Sequence, residues 1–282
     1  MTAQPDPASE RTLIIEPGRA ARHYWRDLWH YRELFAILAW RDVSVQYKQT
    51  VIGVAWAVIR PALTMAIFTV VFGRVAHLPT EGSVPYPLLV MGGMLPWFLI
   101  STILTNGSSS LISNSNLISK IYFPRLIVPV ASSMVALVDF VLSLVLLFVM
   151  MAWFQFLPDW HLLALPLFVV MALLAALGPA LIMAALNVSY RDFRFIIPFA
   201  VQFGLYLSPV GFSSAVVPEQ WRLLYALNPV VGVIDGFRWS LLGGQTQLNP
   251  VTLLISLAVI ALFLFLGIKV FRQTERSFAD LV

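Results

Sequence analysis

Six stretches of this sequence run on with hardly a charge in them, at about 51–75, 86–111, 126–156, 162–188, 195–212 and 250–271. A helix needs about 20 apolar residues to cross a bilayer, and no single water-soluble core could take up so much apolar chain. We read an all-α integral membrane protein with six transmembrane helices. Composition agrees: 59% of the residues are hydrophobic and 11% charged, against about 25% charged in a soluble domain.

The charges that remain set an orientation. With the N-terminus inside, the inner segments hold Arg11, Arg19, Arg22, Arg26, Arg32, Arg41, Lys48, Lys120, Arg125, Arg191, Arg194, Lys269, Arg272 and Arg276, which is 14 of the 18 Lys and Arg residues. The outer segments hold Arg74, Arg222 and Arg238, and Arg60 lies inside the first span. The positive-inside rule then places both termini in the cytoplasm. The first 22 residues carry no apolar stretch of the kind a cleavable signal needs. The basic balance, net +4, belongs to this asymmetry. No basic run interleaves with exposed aromatics, which speaks against nucleic acid as a partner.

Residues 1–22 read as a mobile cytoplasmic tail, 23–50 as an amphipathic helix, 51–272 as the transmembrane domain and 273–282 as a cytoplasmic C-terminal tail. In the amphipathic stretch Tyr24, Leu28, Tyr31, Phe35 and Leu38 form one stripe at helical spacing, with Arg22, Arg26 and Glu33 opposite. That pattern predicts a helix lying in the membrane interface, with Trp25 and Trp29 at its shoulder. It runs through 40–56 almost without a break into the first span. Between the fifth and sixth spans, 216–227 and 230–242 are apolar but too short to cross, and Asn228-Pro229 separates them. We expect a re-entrant helical hairpin dipping in from the outer face, its non-helical backbone buried in protein or lining a cavity.

Little in the chain can do covalent chemistry. It has no cysteine, and His23, His30, His77 and His161 are scattered. A phosphate-binding P-loop ends Gly-Lys-Ser/Thr, but the three lysines, Lys48, Lys120 and Lys269, follow Tyr47, Ser119 and Ile268. The sequence therefore predicts no enzyme and no cofactor in this chain. If ATP drives it, another polypeptide binds the ATP and magnesium. Asp159, Asp192, Glu219 and Asp235 fall at span ends or in loops without a metal-binding pair.

Two charges lie within spans. Asp139 is costly in hydrocarbon. It either bonds Ser132, Ser133, Ser143 or a neighbouring helix, or it serves function. Arg60 can snorkel inward, pair with Asp139 or line a path for an anionic group. Thr105 to Ser110 and Ser113 to Asn116 are either helix packing or a hydrophilic wall. The connection 112–129 contains Lys120-Ile121-Tyr122-Phe123-Pro124-Arg125, a membrane anchor or a compact knob for a partner's groove.

Several of these residues, in this order, resemble the polysaccharide-export permeases of the ABC-2 type. Lys48-Gln49-Thr50-Val51-Ile52-Gly53-Val54-Ala55-Trp56 with Pro61, Pro85-Tyr86-Pro87-Leu88 and Leu95-Pro96-Trp97 carry it. So do Asn116-Leu117-Ile118, Tyr122-Phe123-Pro124-Arg125, Asn187-Val188-Ser189-Tyr190-Arg191-Asp192-Phe193-Arg194, Ser208-Pro209-Val210, and Asn228-Pro229 with Asp235-Gly236-Phe237-Arg238. The resemblance spans about 31–271. Arg60 departs from it, at a position where that family often has a neutral residue.

The resemblance implies a half-transporter of the bacterial inner membrane. Two copies form the pore, and two separate ATP-binding cassette subunits dock beneath. The cargo would be an O-antigen, capsular polysaccharide or teichoic acid precursor on an undecaprenyl-type lipid; the alternative is a small lipid or drug. Arg41, Lys48, Asn116, Tyr122 and Phe123 would couple to the ATPase. Arg60 and Asp139, with the aromatics Trp56, Tyr206 and Trp239, are the candidates for the translocation path or its gate.

Overall fold

The computed structural model describes residues 20–48, 53–190, 192–275 and 278. Most of the expected N-terminal tail, the join at 49–52, Arg191 and most of the C-terminal tail lie outside the described residues. The chain begins with α1 (Ala20–His30) and α2 (Arg32–Lys48). It continues with α3 (Gly53–Phe68), which passes into π-helical turns over Thr69–Val75. Then follow α4 (Tyr86–Ser113), the single turn α5 (Ser115–Ile118) and α6 (Ile127–Trp153). A 3-10 turn at Trp160–Ala164 leads into α7 (Leu165–Ser189), and α8 (Phe193–Leu207), α9 (Glu219–Tyr225), α10 (Pro229–Leu241) and α11 (Pro250–Thr274) complete the order.

Local chemistry sets several ends. Asn228 and Asn249 each cap a helix by accepting the N–H two residues on, from Val230 at 3.1 Å and Val251 at 2.9 Å. In both, proline takes the first helical position, where its missing N–H costs nothing. Five helical stretches are long and apolar enough to cross a membrane: Ala55–Val75, Tyr86–Ser113, Ile127–Trp153, Trp160–Ser189 and Pro250–Thr274. The fifth expected span, about 195–212, is shorter than the sequence implied and is not among these five. α8 has 15 residues, about 22 Å of rise. It stops because Ser208 is extended (φ −105°, ψ 150°), the conformation a following proline imposes.

α4 is the central element, packed against α3, α6, α7, α8 and α10, while α11 lies on α7 and α10. It is 78% buried over its most apolar window, where α3 with its π-helical extension is 6% buried. α7 and α11 meet backbone to backbone. A Cβ on Gly178 would stand 2.6 Å from the Phe263 carbonyl carbon, and one on Gly267 would strike the Gly178 carbonyl. Both glycines are there because nothing larger fits.

The ends of the bundle are tied separately. On one side α1, the loop between α4 and α6, and the end of α11 share an apolar cluster that includes Tyr24, Leu38, Ile118, Phe123, Phe271 and Phe278. On the opposite side Glu81 accepts the Ser213 hydroxyl and, at 2.8 Å, the Gln247 N–H. The amphipathic stripe of the N-terminal helices accordingly faces protein. Tyr24 and Leu38 are buried in that cluster, with Leu28, Tyr31 and Phe35 packed against it, whereas Trp25, Trp29, Ile37, Trp40 and Val45 are exposed. α2 runs along α6, and Trp40 stays on its exposed side.

The α7–α11 contact yields a test. Gly178→Val forces the two backbones apart, and overpacking of this kind costs about 1–3 kcal/mol. We expect a lower melting temperature in detergent, whereas Ala200→Val, on an exposed position of α8, leaves it unchanged.

Candidate functional site

The side bearing the N-terminal helices is built around the loop from Asn114 to Arg125. Tyr31 donates from its hydroxyl to the Tyr122 carbonyl at 3.4 Å. Arg41 donates to the Asn114 side-chain oxygen at 2.7 Å while forking onto Asp42 at 2.7 and 2.9 Å. Asn114 in turn donates to the Ser110 carbonyl at 2.8 Å, finishing α4. Tyr31, between α1 and α2, and Arg41 of α2 thus hold the loop at two points. Glu275, just beyond α11, accepts the Arg125 N–H at 2.8 Å and the Tyr24 hydroxyl at 3.4 Å, and its carbonyl accepts the Arg125 guanidinium. Burial pushes the Glu275 carboxyl up, against the pull of these donors. First helix, loop and chain end are therefore one clasp.

The five residues expected to couple to a partner separate here. Lys48, Asn116 and Tyr122 are exposed, and Arg41 is engaged but reachable. Phe123 is 4% exposed. Pro124 turns the chain towards α6, and Phe123 enters the cluster with Ile118 and Phe271. It is core and offers nothing to a groove; the exposed knob is Lys120, Ile121 and Tyr122.

The path or gate candidates are likewise not one constellation. Asp139 accepts the Tyr47 hydroxyl and the Gln46 amide at 3.3 Å, both from α2. Burial and the adjacent carboxylate push the Tyr47 hydroxyl above the usual tyrosine range. Ser132 and Ser133 instead donate to the Pro129 carbonyl, so of the partners considered from sequence the neighbouring helix is the one used. Arg60 is exposed and stands 5.4 Å over the Phe98 ring, with no ion pair to Asp139. Trp56 shares the exposed face of α3 with Arg60, Leu63 and Ile67, and Tyr206 shares that of α8 with Phe195, Phe199 and Phe203. Trp239 packs edge-on to His161 at 4.5 Å and Trp160 at 6.3 Å, on the opposite side of the bundle.

The Ser/Thr/Asn tract of α4 is divided between buried positions (Ser108, Ser110) and exposed ones (Thr105, Ser109, Ser113). Thr105, Ser108, Ser109, Ser110 and Ser113 all bond carbonyls of their own helix, and the buried Asn187 of α7 donates to the Ser108 carbonyl at 3.0 Å. Between α4, α7, α8 and the turn from α9 to α10 lies a cavity of about 520 Å³, lined by Trp97, Ala176, Gly204, Trp221, Tyr225 and Phe263 among others. Such a lining suits hydrocarbon better than sugar.

The feature that sequence reasoning missed is Arg238, 1% exposed on α10. It donates to the carbonyls of Leu89 at 3.0 Å, Phe212 at 2.8 Å and Val210 at 2.9 Å. Gly93 leaves it room, since a Cβ there would lie 2.6 Å from its guanidinium nitrogen. One turn earlier Asp235, also buried, accepts the Ser214 hydroxyl at 2.8 Å. The signal was present: an Asp and an Arg three apart on a short apolar helix share a face. Among the described residues no three His, Asp or Glu gather to hold a metal ion.

Comparison with known proteins adds the following. The family described as ABC-2 type transporter matches residues 33–242. The chain is 28% identical over 259 residues to the O-antigen export system permease protein RfbA of Myxococcus xanthus, covering 90% of this chain and 97% of that protein. It is 22% identical over 254 residues to the protein of the same description from Klebsiella pneumoniae, covering 89% and 95%. It is 20% identical over 243 residues to the polysialic acid transport protein KpsM of Escherichia coli, covering 84% and 92%.

Two expectations follow from the geometry. Arg238→Met strands three buried carbonyls, and each buried acceptor left without a partner costs about 1–3 kcal/mol. Arg238→Lys does not restore these bonds, because one ammonium cannot reproduce the fork. Thermal unfolding in detergent reads both. Tyr47→Phe removes a hydrogen bond to a charged group, worth about 1.5–3 kcal/mol, and hydrogen exchange should quicken across α2 while α7 stays protected.

Proposed function

The chain belongs to the ABC-2 type transporter family, and from that premise we propose that it is the permease subunit of an ATP-driven exporter of a lipid-linked polysaccharide. The observation that carries this reading is the end-to-end alignment with permeases described as exporting O-antigen, which covers 95–97% of their length. Likeness to a polysialic acid transporter supports the wider class of bacterial surface glycans.

On this reading the chain sits in the bacterial inner membrane with both termini in the cytoplasm. The side holding α1, α2 and the 114–125 loop carries Lys48, Lys120, Arg125, Lys269 and Arg272, as the positive-inside rule asks. A homodimer forms the pore, and two ATP-binding cassette subunits dock against the knob of Lys120, Ile121 and Tyr122. α9 and α10 are the re-entrant hairpin on the outer side, where Trp239 and the Arg238 clamp hold the exit. The faces of α3 (Trp56, Arg60, Leu63, Ile67) and α8 (Phe199, Phe203, Tyr206), unburied in the single chain, meet the second copy and the glycan. Aromatic rings suit the apolar faces of sugars. An ATP-driven change moves the loop only to the extent that the partner binds two permease states unequally.

The test is transport by vesicles containing the permease and its ATPase. We expect ATP-dependent transfer of an undecaprenyl-linked glycan; transfer without the ATPase would overturn the reading, and transfer of small amphiphiles alone favours a lipid or drug exporter. Tyr122→Asp should abolish stimulation of the ATPase and lower export at least tenfold without changing the melting temperature. Phe123→Asp should instead fail to fold, since it buries a carboxylate in the cluster.

A further inference from the structure

Arg60 stands well inside the first membrane-crossing helix, and its guanidinium is exposed 5.4 Å over the Phe98 ring. Phe98 packs on the same apolar cluster as Met65 and Phe68 of α3 and Val201 and Leu205 of α8. The cation therefore lies by the seam where α3 and α8 both rest on α4. From Gly53 to Arg60 is about 10 Å of helix. Phe98 is about 18 Å along α4 from Tyr86, which starts on the opposite side. In hydrocarbon ~30 Å thick, both distances put the guanidinium about 10 Å inside the boundary on the side of α1 and α2.

A charge at that depth is costly unless something answers it. Arg238 has three carbonyls to do so. Arg60 has an aromatic face, and among the described residues no carboxylate pairs with it. Asp139, the acidic group within α6, is taken up by Tyr47 and Gln46 of α2. The approach to Arg60 is polar. Ser113, Ser109 and Thr105 of α4 are exposed and, at 100° per residue, lie on the same side of the helix as Phe98. Their hydroxyl protons go to carbonyls of their own helix, which leaves the oxygens to accept from water. A hydrated track thus runs from the end of α4 to an unanswered cation.

We infer that Arg60 recognises the phosphate or diphosphate that joins the cargo's polyprenyl lipid to its glycan, as that group passes along α3 and α4. A guanidinium forks onto two phosphate oxygens at once. The phosphate of a resting phospholipid stays at the boundary, about 10 Å away, whereas a headgroup in transit has to cross this depth. Arg60 is then a specificity residue for the anionic link rather than for the sugar. The inference rests on the export reading and deepens it.

The experiment uses the permease with its ATPase in phosphatidylcholine nanodiscs holding undecaprenyl diphosphate and undecaprenol at equal mole fraction. Native mass spectrometry reads the occupancy of each. A hydrogen bond between charged groups corresponds to about tenfold or more in affinity, so the diphosphate should be preferred by at least that factor. Arg60→Gln should remove most of the preference and Arg60→Lys should keep part of it. Melting and the dimer should be unchanged in both, since α3 is 6% buried over its span. Equal occupancy by the two lipids, or a preference that Arg60→Gln leaves intact, overturns the assignment. So does a dimer that dissociates in Arg60→Gln, because the guanidinium then pairs within the protein. Loss of the preference when phosphatidylglycerol replaces phosphatidylcholine overturns it in favour of a phospholipid headgroup. A preference that depends on Arg60, together with no ATP-dependent glycan transfer by the unaltered complex, supports the site and counts against the export reading alone.

Discussion

Buried non-helical backbone has no water to bond to, and the guanidinium of Arg238 answers that constraint for the half of the molecule that depends on it. After α8 stops, the carbonyls of Val210 and Phe212 point inward without helical partners, and Arg238 donates to both. Its remaining bond, to the Leu89 carbonyl, fastens the same group to the central helix. A single side chain thus joins α4, α10 and the segment that ends α8. Asp235 beside it and Gly93 beneath it follow from that choice: the first balances the charge, the second leaves the space. An apolar residue at 238 would pack but would leave three acceptors bare, each a desolvation cost that hydrocarbon does not relieve.

Among the described residues, the other end is organised without a deeply buried charge network. There the clasp is shared among short polar contacts at the edge of an apolar cluster, so α1, α2, the 114–125 loop and the end of α11 behave as one piece. Asp139 extends it into the membrane. By accepting from Tyr47 and Gln46 it ties α2 to the middle of α6, some 18 Å of helix from the start of α6 at Ile127. A displacement of the loop therefore reaches α6 through α2 as well as through the chain itself.

Much of this was legible in the sequence because hydrophobic length is a strong signal. Five of the long apolar runs fell where long helices lie, and Asn228-Pro229 separated α9 from α10. The failures have physical causes. α8 was drawn too long because hydropathy continues through Val210 and Phe212 although Pro209 ends the helix. The periodicity of the stripe from Tyr24 to Leu38, read as a helix in the membrane interface, is the same whether the stripe faces a membrane or a protein; its packing on Leu111, Ile118 and Phe271, far along the chain, is what the sequence does not display. Phe123 looked like part of a knob because an aromatic beside Tyr122 carries no mark of which way it points. Arg238 was read as an outer-loop charge because its partners are backbone carbonyls, one of them 149 residues away, and carbonyls have no signature in a sequence.

Burial also separates what can move from what cannot. α4, α6, α7, α10 and α11 are interlocked through backbone contacts and the Arg238 clamp, so displacing one means breaking several. α3 is buried over 6% of its span, and α8 is short, ends at a proline and borders the apolar cavity. Neither is held by a buried charge of its own. On the export reading these are the two helices that must yield when cargo passes, and they carry the exposed faces that the second copy has to cover. On that reading the rigidity lies where force is received and the compliance where a pore must open. A permease that takes its energy from another polypeptide needs that arrangement, since a push delivered to the loop is useful only if the body transmits it undiminished to the helices lining the path.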